Sequence, residues 1–94
     1  MNVTERLQAL VETADDIIKV YHENMGSKAI SIQLKNVMAD NILLLESMTH
    51  DSKNLALFDQ EDPDIMKMSE DLFLIFNEAI MENIKIFHYL FKIT

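Results

Sequence analysis

The 94 residues include no cysteine, one glycine and one proline. Without cysteine there is no disulfide scaffold, no thiolate metal site and no cysteine nucleophile. With so few turn formers the chain has few places to reverse, which predicts a few long helices rather than many short strands. Basic residues are scarce, 8 Lys and Arg against 16 Asp and Glu, for a formal net charge of −8. Direct nucleic-acid binding is therefore not expected, since it depends on Lys and Arg neutralising phosphates. Long apolar runs are also missing. The longest is Leu72 to Phe76, far short of the roughly 20 residues of a spanning helix, so no membrane span is expected. No basic n-region or apolar h-region follows Met1, and the expectation is a soluble, cytoplasmic protein of one domain.

What the chain does have is apolar surface at helical spacing: 49% of its residues are hydrophobic. In the C-terminal stretch, Met66, Phe73, Phe76, Ile80, Ile84, Phe87 and Phe91 fall on one line of a helix. Met68, Leu72, Ile75, Ala79, Ile86, Leu90 and Ile93 form a second line beside it. Together they cover about half the circumference, where an ordinary surface helix needs a stripe of roughly 100°. At the other end of the chain, Val3, Leu7, Leu10, Ala14, Ile17 and Tyr21 mark a helix with a single apolar face. Gly26 is placed to end that helix and Ser27 to cap the next. The second helix carries Ile30, Leu34, Val37, Met38, Ile42, Leu44, Leu45 and Met48 on its apolar arc, with Ile32, Ala39 and Leu43 outside it. Asp62-Pro63-Asp64 reads as the start of a third helix, with Asp62 as its cap.

The predicted architecture is all-α: helices at about 4–25, 28–50 and 63–93, and a loop with a short helical turn at 51–62. The first two helices form an antiparallel hairpin and the long third helix completes a three-helix or three-plus-one bundle. At 1.5 Å per residue the last helix is about 46 Å long against about 33 Å for each of the others. That surplus, with the double apolar line, predicts a homodimer. Its seam is expected to draw on Ile75, Ile86, Leu90 and Ile93, together with Ile32 and Leu43. Asn41 and Asn83 interrupt apolar arcs and need polar partners, either to fix register across a dimer axis or at the edge of a contact. Antiparallel counting puts Asn83 near the level of Ile30 and Tyr21.

Motifs for chemistry are absent, so no cofactor is expected. His22, His50 and His88 lie near separate helix ends, and Glu46 with His50 shares a face outside the apolar arc, so no metal site is predicted. Asp59 to Glu70 has acids at three places of a calcium loop but Asp64 where the turn needs glycine. Ser27, Ser31, Ser47, Ser52 and Ser69 lie in no nucleophile motif. Enzyme activity is not expected. The seven methionines suit either core gap-filling or a surface that adapts to partners.

The function that follows is interaction: a small acidic regulatory protein (adaptor, inhibitor or chaperone) acting through apolar helix faces on a protein partner. Two alternatives stand beside it. Acids between Asp59 and Glu82 outnumber Lys67, the one base there, as in a decoy for the basic site of a nucleic-acid-binding protein. Lys85, His88, Tyr89, Phe91 and Lys92 could instead lie at a membrane surface. In size and class the chain is similar to small acidic helical regulators of phages, plasmids and bacteria and to bacteriocin immunity proteins; the likeness rests on no motif.

Overall fold

In the computed structural model, residues 2–91 are described, those at 91 by backbone alone. Three helices follow one another, α1 (Val3–Asn24), α2 (Ile32–Leu55) and α3 (Pro63–Phe91). Each packs against both others, so the chain forms a three-helix bundle. Arg6 lies over the ring of Phe73 at 4.9 Å, and Tyr21 meets Phe87 edge-on at 5.1 Å between ring centres. α1 and α3 therefore run parallel and in step, with α2 antiparallel between them in sequence.

The core follows from heptad spacing. On α3, Ser69, Phe73, Phe76, Ile80, Asn83, Phe87 and Leu90 alternate steps of four and three, and all are buried or half-buried. Met38, Ile42, Leu45, Thr49 and Ser52 do the same on α2, and Leu7, Val11, Ala14, Ile18 and Tyr21 on α1. Phe76, Met38, Leu45, Ala14 and Tyr21 have no accessible surface.

The helix ends depart from the sequence reading at two places. α2 begins at Ile32 and not at about residue 28, because Ser31 is the residue that caps it: its Oγ accepts from the Leu34 amide at 3.2 Å. The hydroxyl of Ser27 accepts instead from the Ala29 amide, within the turn. At its far end α2 continues to Leu55, through the Asp51-Ser52-Lys53-Asn54 stretch read as loop. Ser52 is small enough to face inward, and Leu55 behind it is buried. The first and third starts agree with the reading. Asn2 caps α1 by accepting from the Glu5 amide at 2.9 Å, and Asp62 accepts from the Asp64 amide at 2.8 Å beside Pro63.

The extra turns of α2 and the linker cover the extra length of α3. Since α1 and α3 run in step, α3 starts about two turns before α1 does. Leu55 and the linker lie alongside that overhang. Gln60 ties the linker down, donating to the carbonyls of Leu55 and Phe58 and accepting from the Thr4 hydroxyl at 2.9 Å.

Candidate functional site

The second apolar line of α3 faces α2, and along it the two helices leave a groove. One half is a cavity of about 530 Å3 lined by Leu55 and Phe58 on one side and Met68, Leu72 and Ile75 on the other. The other half, about 450 Å3, is lined by Asn41, Leu44 and Met48 opposite Ile75 and Ala79. Ile75 lines both halves, which adjoin at that side chain. Among the described residues none of the three helices lies over the groove, and Ala79 on the wall of one half is small. Ile75 is 56% exposed and Leu44 45%, and Phe58 and Met68 are also exposed. Contiguous exposed apolar surface of this kind marks interaction sites in soluble proteins.

Acids line the α3 edge, Asp71, Glu78 and Glu82, and Asp51 stands on the α2 side of one half. No Lys, Arg or His is among the residues lining either half. Lys67 and Lys85 reach Asp71 and Glu82 at 3.4 and 3.2 Å from the outer side of α3, in solvent-exposed pairs.

Of the six residues expected in one seam, the five described lie in three different surroundings within the single chain. Ile75 lies at the centre of the groove. Ile86 and Leu90, further along the same line, are half-buried against the chain's own core. Leu43 and Ile32, 67% and 74% exposed, lie on the outer face of α2; at 100° per residue Leu43 is about 100° round the axis from Leu44. Ile93 lies outside the described residues, as does Lys92 of the membrane-surface reading. Phe58, Met68 and Leu44, which the seam did not include, are the residues that join Ile75. Of these, Met68 was visible on the second line of α3, and Leu44 on the arc of α2.

The two asparagines differ. Asn41 is half-exposed at the groove, and its Nδ2 donates to the carbonyl of Val37 one turn back. Asn83 is fully buried: its Oδ1 accepts from the Tyr21 hydroxyl at 2.6 Å and its Nδ2 donates to the Ala79 carbonyl at 2.7 Å. Its partner is in the same chain. Burial pushes the Tyr21 phenol up to about 12, because a phenolate there would lose its hydration.

A smaller cleft of about 140 Å3 lies at the linker end, walled by Thr4, Gln8, Gln60 and the buried Ser52 and Ser69. Among the described residues, no group of three or more His, Asp or Glu side chains is placed to hold a metal ion, and no helix is long and apolar enough to cross a membrane. No family model matches the chain, and no curated protein or solved structure is significantly similar to it.

Proposed function

We propose that this is a non-enzymatic interaction protein that holds an apolar-faced helix of another protein in the α2–α3 groove, as an adaptor, inhibitor or chaperone does. The observation carrying this reading is the open channel in which Leu44, Phe58, Met68 and Ile75 lie exposed side by side. Its shape supports a helical occupant, since two packed helices with a gap between them present the groove that an amphipathic helix fills. Methionines are divided between roles: Met38 and Met48 are core, while Met66, Met68 and Met81 are exposed and able to adapt to a partner.

A second copy of the chain is a poorer occupant. Self-association through this face sets Asp71, Glu78 and Glu82 of one copy against the acids of the other, and like charges across an interface are costly. The decoy reading draws less support, because Asp59 and Asp62 use their carboxylates locally, accepting from the Glu61 and Asp64 amides.

Site-specific photo-cross-linking in the native cells tests the proposal, with a benzophenone amino acid at Ile75 and, as control, at Glu12 on the outer face of α1. The expected result is an adduct from position 75 alone, lost with Leu44→Glu. Mass spectrometry should place it on an apolar-faced helical segment of another polypeptide. An adduct with this chain itself would replace the proposal by a homodimer. No adduct, or the same adducts from both positions, would overturn it.

A further inference from the structure

We infer that the helix received by the α2–α3 groove is basic: an amphipathic segment with four apolar anchors and Lys or Arg along the flank that meets α3. The inference rests on the groove reading above and adds the partner's chemistry to it. The floor and walls are apolar (Leu55, Leu72, Ile75, Met48 and Ala79), whereas the α3 edge is acidic along its length and the α2 side carries Asp51. Asp71, Glu78 and Glu82 follow one edge for three turns of α3, and Asp51 on α2 shares one half of the groove with Asp71. Two lysines reach this edge from outside and pair with Asp71 and Glu82 in exposed, weak contacts, so the four acids still outnumber the bases beside them by two.

Length sets the pattern. From Met68 to Glu82 the groove runs about 21 Å, or about four helical turns. A helix lying in it meets the floor at positions i, i+4, i+7 and i+11. Flanking Lys or Arg side chains suit the α3 edge twice over. Their methylene stems cover apolar wall, and their charged ends reach the carboxylates. An acidic or neutral helix of the same apolar pattern gains the floor but not the edge. Attraction between opposite charges also speeds encounter and weakens with salt.

Fluorescence anisotropy with three labelled peptides tests this. All carry Leu at i, i+4, i+7 and i+11 and differ only in their flanks, which are Lys, Gln or Glu. The Lys peptide should bind about tenfold or more tightly than the Glu peptide at about 50 mM salt, with the advantage shrinking as the Debye length falls. Asp71→Asn with Glu78→Gln should reduce that advantage. Leu44→Ser with Ile75→Ser, both at exposed positions, should weaken all three peptides while circular dichroism shows an intact fold. Equal binding of the Lys and Glu peptides would overturn the basic partner and leave the groove reading standing. Lys-peptide binding indifferent to Leu44→Ser with Ile75→Ser would show attraction to the acidic surface at large and overturn both, as would failure of all three peptides to bind.

Discussion

The hydroxyl of Tyr21 donates a 2.6 Å hydrogen bond to Oδ1 of Asn83, joining α1 to α3 inside the core. Each side chain satisfies a polar group that the other would leave stranded, and both have no accessible surface. Tyr21→Phe strands the Asn83 oxygen and Asn83→Leu strands the phenol, so each single change should cost about 1–3 kcal/mol. The double variant should cost clearly less than the sum, because it strands neither. Urea unfolding of the four proteins measures the coupling. Additive losses would show that the two groups do not depend on each other.

The same phenol makes stability depend on alkaline pH. Its folded value is about 12 against an ordinary 10.0, so between those values the folded chain keeps a proton that the unfolded chain has lost. Stability conferred by the neutral phenol is therefore complete below about pH 10 and falls as pH rises toward 12. Tyr21→Phe should flatten that fall. An equally steep decline in the variant would place its cause elsewhere.

Ser31, not Ser27, carries the start of α2. Ser31→Ala should cost about 1 kcal/mol, as loss of a helix cap does. Ser27→Ala removes only a bond within the turn and should cost less. Thermal unfolding ranks the two, and the reverse order would put the start of α2 four residues earlier.

Ile75 and Ile86 share a line on α3 but not an environment. Ile86→Glu forces a charge into a half-buried position against the core and should cost about 2–4 kcal/mol. Ile75→Ser, in the open groove, should cost about 1 kcal/mol or less. Equal losses in chemical unfolding would mean that the groove around Ile75 is closed in solution.

That contrast also marks how far the sequence was legible. Heptad spacing disclosed α1 and the double apolar line of α3, and cap chemistry disclosed the Asp62-Pro63 start. Counting along the helices brought Asn83 to the level of Tyr21. Periodicity says which residues share a line, however, and not where along that line another helix lies over them. Ile75, Ile86 and Leu90 were thus indistinguishable until packing separated them. The α2 boundaries were obscured by chemistry that fits two roles. Ser27 and Ser31 can both cap, and Asp51-Ser52-Lys53-Asn54 suits a turn as well as the last turns of a helix whose inward residue is a serine.

On the proposed function, the partner helix lies in the groove between α2 and α3. Amide chemical-shift mapping of the 15N-labelled protein with the Lys-flanked peptide tests it most directly. The shifts should concentrate at Leu44, Met48, Leu72, Ile75 and Ala79 and spare Glu12, Lys19, Ile32 and Leu43. Shifts centred on the outer face of α2 or on α1, or none at saturating peptide, would contradict it.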